Sequence, residues 1–523
     1  MAIEMTSGDI FTPEQLSYHA KVYAGPGAGK THFLVENVKN IIANNPQIVQ
    51  SRARKVLCVT YTNAAVDEIK RRLDKFTDHV EVYTIHGFII EHIIQPFQQD
   101  LRDIIESDFG ITVKSEGKIS SQVEGLGILH GVDKEEIYDF VRQTNPVEFA
   151  NDEFEYSKKA MGDIEVNCSA FAASISNRTT RQIELKAPSK IDGRHVKPIK
   201  KYIWSVVKKL THNEILYFGY RILESNPTAV YSIRVKFPFM LVDEFQDTNP
   251  LQTSLIKLIG QKSTIIGIVG DVAQSIYSFQ GARPTDFKNF SIEGDRELKE
   301  YVINGNRRST ENIVNFCNFL RQSDDEVLQL SQRPYNTAGE KEQAEAKKIH
   351  FLIGNSQISY TCKIIENFNA EIEKAEFSIL RDEIFAPQFS IPVFDSFDSE
   401  KLITAVSNLF WGTSYRLFTE VFSETSKYMT VHQAKGLEWD KVIVSVTPNR
   451  FDKIQITDIY SNPKLTNESP ADEFTRMYYV ACSRAKEDLF IHLPDISIVD
   501  KLHESLHTFA EMTGRGIEYE IIQ

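Results

Sequence analysis

Cysteine is scarce: five residues among 523, namely Cys58, Cys168, Cys317, Cys362 and Cys482, scattered with no C-x-x-C pair. That spacing argues against a disulfide framework and against a thiolate zinc site. No run of about 18 apolar residues exists, so no membrane-crossing helix is expected. The opening Met1-Ala2-Ile3-Glu4-Met5-Thr6 lacks the basic-then-apolar layout of a secretory leader. These absences point to a cytoplasmic protein. Positive charge is also short. A net charge of −13 argues against a chain that coats nucleic acid indiscriminately, while leaving room for a local basic groove. There is no internal repeat and no low-complexity linker. What remains is an ordinary globular composition, 41% hydrophobic and 25% charged, in a length that suits about three or four domains' worth of core.

Against that background one stretch stands out: Ala24-Gly25-Pro26-Gly27-Ala28-Gly29-Lys30-Thr31. Small residues let successive backbone N–H groups curl around a polyphosphate. Lys30 would reach the β- and γ-phosphates of a nucleoside triphosphate, and the Thr31 hydroxyl would ligate Mg²⁺. Ala24 stands where the strict pattern has glycine. The flanks suit a strand-to-helix junction: Ala20 to Tyr23 reads as a strand, and His32 to Val38 begins a helical pattern.

Phe239-Met240-Leu241-Val242 is an apolar run that ends in Asp243 and Glu244. A buried parallel strand would deliver both carboxylates beside the phosphate loop. Asp243 would hold Mg²⁺ through water, and Glu244 would orient the attacking water. A second such run, Ser263 to Asp271, is followed by Gln274, placed to touch a γ-phosphate. Tyr277 and Phe279 come next. On physical grounds they are equally well core residues or platforms on which unpaired bases stack.

These runs, with His432-Gln433-Ala434-Lys435-Gly436-Leu437-Glu438, resemble the ordered motifs of superfamily 1 DNA helicases of the UvrD/Rep/PcrA type. The motifs extend from Gln15 to Arg484, most of the chain. The resemblance implies an α/β fold of two RecA-like P-loop NTPase domains with ATP between them, a helical insertion in the first and a reduced insertion in the second. It makes Gln15 an adenine contact, and Tyr61, Thr62, Asn63 and His86 contacts to single-stranded DNA. Tyr277, Phe279 and His432 join that DNA-binding set. Arg308 and Arg484 become the two arginines that meet the γ-phosphate, while Gly436 and Glu438 lie at the nucleotide, Glu438 on its ribose side. There are departures. Ile85 stands where an aromatic is usual, Gln280 replaces an arginine beside the DNA, and Arg307 replaces a tyrosine that stacks on adenine. A guanidinium plane can stack too.

The domain boundaries implied are lobe one at residues 1–95 and 235–300, a helical insertion at 96–234, and lobe two at 301–523. The insertion holds Lys186, Lys190, Arg194, Lys197, Lys200, Lys201, Lys208 and Lys209, interleaved with Tyr202 and Trp204. Such a stretch either tracks phosphates or forms a solvated helix face. Between Ser309 and Thr430 lie only about 120 residues. They leave room for strands at Lys348–Ile353 and Phe377–Leu380 and for a small insert, with Ser331–Lys347 expected as a loop. About 40 residues follow Arg484, too few for a fused nuclease. This compact form is similar to the helicase-like subunit of Gabija anti-phage systems, which implies an OLD-family-type nuclease as partner.

Two activities follow as expectations. One is an ATP-dependent translocase moving 3′ to 5′ on single-stranded DNA, or at a junction with duplex, and able to separate strands. The other is a DNA-sensing ATPase that gates a partner nuclease with little unwinding of its own. A P-loop kinase would need an acceptor pocket, of which there is no sign. A purely structural subunit would not be expected to keep Lys30, Asp243, Glu244, Gln274, Arg308 and Arg484 together.

Overall fold

The computed structural model describes residues 2–113, 164–177, 183–187, 193–321, 328–353, 431–445, 469–493 and 498–522, with short pieces at 119, 121–122, 139, 142–143, 191 and 459–460. The chain divides into two compact units. One comprises Met1–Ala24 and Gly29–Ile303, the other Gly25–Ala28 and Asn304–Gln523.

The first unit is built on seven strands: β1 (Ile3–Met5), β2 (His19–Ala24), β3 (Val56–Thr60), β4 (Val80–Thr84), β5 (Phe239–Val242), β6 (Ile265–Gly270) and β7 (Leu298–Ile303). Their order is β1-β7-β2-β6-β5-β3-β4, and every neighbouring pair is parallel. A sheet with helices on both faces buries its strands from both sides, which explains the unbroken apolar runs Val56–Val59 and Phe239–Val242. Within β2, Lys21 departs from that apolar pattern, as does the buried His19. The Lys21 ammonium lies 3.1 Å from Glu300 on β7 and 2.6 Å from the Lys288 carbonyl, so the buried charge is paired and hydrogen-bonded.

The helices of this unit include α1 (Lys30–Asn44), α2 (Asn63–Leu73), α3 (Gln98–Phe109), α4 (Gly193–Tyr202), α5 (His212–Ser225), α6 (Pro227–Lys236) and α7 (Pro250–Gly260). Their starts are chemically specified. Thr62 Oγ1 accepts from Ala65 N at the head of α2. Thr211 with Glu214, and Asn249 with Gln252, form reciprocal capping boxes at α5 and α7. The α3 to α6 helices, which lie between β4 and β5 in sequence, share one continuous apolar core with the sheet.

The basic stretch 186–209 partly turns inward. Lys200 is fully buried against Glu214, and its ammonium also donates to the Ile164 carbonyl at 2.8 Å. Tyr202 and Trp204 are core residues, with Trp204 Nε1 donating to Glu214 at 3.1 Å. Neither of the readings open in the sequence fits Lys200: it belongs to a buried polar network. Lys190 lies outside the described residues.

Among the described residues the larger sheet of the second unit has four parallel strands, β8 (Ile349–Ile353), β9 (Trp439–Ser445), β10 (Ala485–Leu493) and β11 (Tyr519–Ile522), in the order β9-β10-β8-β11. Its helices are α8 (Glu311–Arg321), α9 (Ala338–Glu345), α10 (Pro470–Cys482) and α11 (Ile498–Thr513). The segment expected as a loop at 331–347 therefore contains α9, started by Thr337, whose hydroxyl accepts from Glu340 N at 3.1 Å. The strand expected at Phe377–Leu380 lies outside the described residues. Among the described residues no helix is long and apolar enough to cross a membrane.

Candidate functional site

In a parallel sheet the strands' C-terminal rim gathers the loops that bind ligands. Here that rim collects residues from five strands. The end of β2 leads into the Gly-rich loop, where Gly27 and Gly29 adopt φ of 70° and 83°. Both values lie in the left-handed region that glycine tolerates best. A side chain on Gly29 would also press against Ser7, whose Cβ lies 2.9 Å from where a Cβ would stand. Helix α1 then begins at Lys30, and Thr31 sits in its first turn.

The end of β5 supplies Asp243 and Glu244. Lys30 Nζ lies 3.3 Å from the Glu244 carboxylate. Asp243 N continues the ladder by donating to Val59 O on β3 at 2.9 Å, and Asp243 Oδ1 accepts from Glu244 N at 3.0 Å. Glu244 itself is left-handed, with φ 50° and ψ 42°. A non-glycine residue there carries a cost of about 1–2 kcal/mol. Such strain concentrates at functional sites. Burial pushes the Asp243 carboxyl up to about 7, and the neighbouring Glu244 charge adds to the rise.

Gln246 links this strand end to the next. Its Nε2 donates to Glu244 Oε2 at 2.5 Å, and its Oε1 accepts from Asp271 N at 3.0 Å. Asp271, at the end of β6, takes Gln274 Nε2 on its other carboxylate oxygen at 2.7 Å, and Ser275 Oγ donates back to Gln246 O at 2.9 Å. Lys30, Glu244, Gln246, Asp271 and Gln274 thus form one hydrogen-bonded chain across two strand ends. Sequence reading singled out neither Gln246 nor Asp271. Their signal was only their place inside the Asp-Glu-Phe-Gln-Asp and Gly-Asp-Val-Ala-Gln runs.

Farther along the rim, Tyr61 follows β3. Its ring stacks on Tyr277 with centroids 4.9 Å apart and planes at 27°, and its hydroxyl meets Gln280 Oε1. Phe279 lies 5.9 Å from Tyr277 and is 66% exposed, so it is not a core residue. Burial, with Asp247 and Glu244 nearby, pushes the Tyr277 hydroxyl up to about 12. Thr62 and Asn63 are exposed at the head of α2, although the Thr62 hydroxyl already caps that helix. His86 is turned away from water. It packs edge-on against His212 at 5.0 Å, and burial holds it down to about 4, so the ring is neutral at pH 7. Gln15 folds onto its own turn, its Oε1 accepting from Thr12 N at 2.8 Å.

The second unit positions the remaining candidates. Asn306 Oδ1 accepts from the backbone N–H groups of Arg308 and Ser309, fixing the turn that carries Arg308. Arg308 Nε donates to Glu438 Oε2 at 2.5 Å, and its Nη1 reaches the Ser483 carbonyl at 3.3 Å. Burial favours the protonated Glu438, but Arg308 and Lys486 outweigh it and hold the carboxyl below its ordinary range. Gly436 is left-handed with φ 85°, and His432 lies on the helical turn Val431–Ala434. Arg484 is buried. Its Nε donates to Val480 O at 3.0 Å, and its Nη2 to Ser483 Oγ at 2.8 Å. Arg307 is exposed. Thr430 lies outside the described residues.

The donor set fits a magnesium nucleotide. It offers a left-handed glycine loop, one lysine at a helix start, a hydroxyl in the first turn and the buried Asp243 carboxylate at the end of β5. Among the described residues no cluster of three or more His, Cys, Asp or Glu is arranged to hold a metal by itself.

Comparison with known proteins agrees with this geometry. Residues 12–294 match the UvrD/REP helicase N-terminal domain, and residues 419–494 match the UvrD-like helicase C-terminal domain. Gabija protein GajB of Bacillus cereus is 27% identical over 339 residues, covering 59% of this chain and 47% of that protein. ATP-dependent DNA helicase Rep of Buchnera aphidicola (subsp. Acyrthosiphon pisum) is 25% identical over 360 residues, covering 66% and 49%. ATP-dependent DNA helicase PcrA of Staphylococcus aureus is 28% identical over 337 residues, covering 61% and 40%. Each match takes in less than half the relative's own length. The N-terminal match alone takes in more than half of this chain, and the chain belongs to the UvrD/Rep helicase family.

Proposed function

We propose that this protein is a DNA-stimulated ATPase that translocates along single-stranded DNA, with 3′-to-5′ polarity and strand separation as its work. The observation that supports this best is the continuous hydrogen-bonded chain from Lys30 through Glu244, Gln246 and Asp271 to Gln274. It puts a phosphate-binding lysine, a water-orienting carboxylate and a γ-phosphate sensor on one rim. The stacked Tyr61 and Tyr277 stand on the same rim, after β3 and β6. DNA docking on Tyr277 can therefore shift Gln274, three residues away in the chain, and reach Glu244 through the hydrogen bonds of Asp271 and Gln246.

In this reading the loop from Ala24 to Thr31, including Gly25, Pro26 and Ala28, cradles the phosphates. Thr31 and Asp243 hold Mg²⁺, which supplies charge neutralisation at the phosphates when bound. Glu244 accepts a hydrogen bond from the attacking water and turns its lone pair toward phosphorus. Arg308 and Arg484 stabilise charge on the transferring phosphoryl group. Both are engaged within their own unit, so each must exchange its present acceptors for phosphate oxygens. Arg307 stacks beside the base, with Gln15 on its edge. Residues 96–234 act as an inserted helical subdomain.

A second reading is supported by the GajB relative: a DNA-sensing ATPase that gates a partner nuclease in phage defence. ATP hydrolysis with and without single-stranded DNA, in wild type and Lys30→Ala, tests the first step. Strong stimulation lost in the variant supports a DNA-driven motor, and DNA-independent hydrolysis overturns it. Displacement of duplexes with 3′ or 5′ tails then separates the two readings, since only the translocase displaces strands alone.

A further inference from the structure

The opposite rim of the same sheet carries a second concavity, of about 650 Å³. Its walls come from the segment that enters β3 (Arg52, Lys55), from β4 (Glu81) and from α6 (Tyr231, Val235, Lys236). Lys55 N donates to Lys236 O at 2.8 Å, which binds the two walls together just before β3 and β5 begin. A strand of five residues spans about 16 Å, so this pocket is well removed from the rim that bears Tyr61 and Asp243.

Two features of the pocket call for an occupant. The first is unspent positive charge. Lys236 is paired with Glu81 at 2.8 Å, whereas Arg52 and Lys55 have no ion-pair partner among the described residues. In a chain of net charge −13, two such cations at one concavity are a local reversal of sign. The second is exposed apolar surface. Tyr231 is 68% exposed and Val235 41% exposed. They stand four residues apart on α6, hence on one helix face. An apolar stripe beside unpaired cations matches a ligand carrying a carboxylate next to an apolar side chain.

We propose that this pocket docks an acidic, apolar-anchored segment of a partner protein. Arg52 presents a planar fork for a bidentate carboxylate, and Lys55 adds a second positive charge. Tyr231 and Val235 receive the apolar anchor. Nucleic acid fits less well. Val235 extends the Tyr231 surface with an aliphatic patch on which no base stacks, which suits an apolar peptide side chain better.

The test uses the full chain and a fluorescein-labelled peptide, Asp-Glu-Leu-Phe-Glu-Asp, followed by fluorescence anisotropy. Controls are Lys-Lys-Leu-Phe-Lys-Lys and a dT hexamer. The acidic peptide should bind at least about tenfold more tightly than the basic one. That preference should shrink as salt rises from roughly 50 to 500 mM, because the charges are exposed. Arg52→Glu with Lys55→Glu should abolish the preference, and Tyr231→Ala should weaken binding at least about fivefold. ATP hydrolysis should remain at the wild-type level in both, which shows that the fold is intact. Equal binding of the two peptides, or variants that bind as wild type does, would overturn the proposal. So would loss of dT binding, in place of peptide binding, in the charge-reversed variant. None of these readings depends on whether the chain is a motor.

Discussion

Arg308 and Glu438, both read from the sequence as nucleotide contacts, are held to each other by the Arg308 Nε hydrogen bond to Glu438 Oε2. Lys486 stands 3.5 Å from the other carboxylate oxygen. Glu438 is 43% exposed, so this pair adds about 0–1 kcal/mol to stability. Its consequence is for the arginine, which is kept in one orientation until a better anion arrives. Arg308→Ala should leave the melting temperature nearly unchanged and lower kcat for ATP by about 10³-fold or more. Glu438→Gln should have a far smaller effect on kcat, because the arginine remains. Steady-state hydrolysis with saturating single-stranded DNA checks both. Equal losses in the two variants would mean that the pair acts as one structural element.

Glu244 combines a left-handed backbone with bonds to Lys30 and Gln246. Glu244→Gln keeps the shape and removes the carboxylate that orients water. Turnover should fall by about 10²–10⁴-fold while a fluorescent ATP analogue still binds. Gln246→Ala should show a related defect, since Glu244 then loses the amide that aims it. Wild-type turnover in Glu244→Gln would remove Glu244 from the chemistry.

Which parts were legible in the sequence follows from where information is local. The glycine loop and the strand ends carrying Asp243 and Asp271 are written in consecutive residues, and the sequence reading placed them at strand ends as the structure does, whereas it did not single out the helix caps at Thr62 and Thr211. The linkage through Gln246 was not legible, because it depends on side-chain orientation at two adjacent strand ends and on Lys30, which reaches Glu244 from 214 residues earlier in the chain. The inward turn of Lys200 was missed for the same reason. Its partner Glu214 lies one helix later, and only packing brings the two together. Tyr277 and Phe279 could not be separated from core residues by periodicity, whereas exposure distinguishes Phe279 at once.

The Tyr61–Tyr277 stack supplies a direct test of the proposed DNA track. A base that stacks on such a platform contributes about 1–3 kcal/mol. Tyr277→Ala should therefore weaken binding of a dT oligomer by about 5–150-fold and reduce DNA stimulation of hydrolysis. Hydrolysis without DNA should change far less, because the ring's aromatic neighbours are Tyr61 and Phe279. Phe279→Ala should act in the same direction. Undiminished affinity measured by anisotropy in both variants would place the DNA elsewhere.

His19 predicts an acid-sensitive sheet. Its ring is fully buried in β2, where Nδ1 accepts from Ile266 N on β6 at 3.0 Å. An accepting Nδ1 must be unprotonated. Burial, aided by the positive charge of Arg296, lowers the pKa from 6.5 to about 4. Between those values the unfolded chain binds a proton that the folded chain refuses. The contribution of His19 is therefore complete above pH 6.5 and is lost as pH falls toward 4. Its size is on the order of 3 kcal/mol. His19→Asn keeps an acceptor near the Nδ1 position but cannot titrate. The variant should be less stable than wild type at pH 7.5, where the smaller side chain leaves a void, yet lose less stability on acidification to pH 4.5. Urea unfolding at the two pH values measures both differences. Parallel losses in the two proteins would mean that the imidazole is not what makes the sheet acid-sensitive.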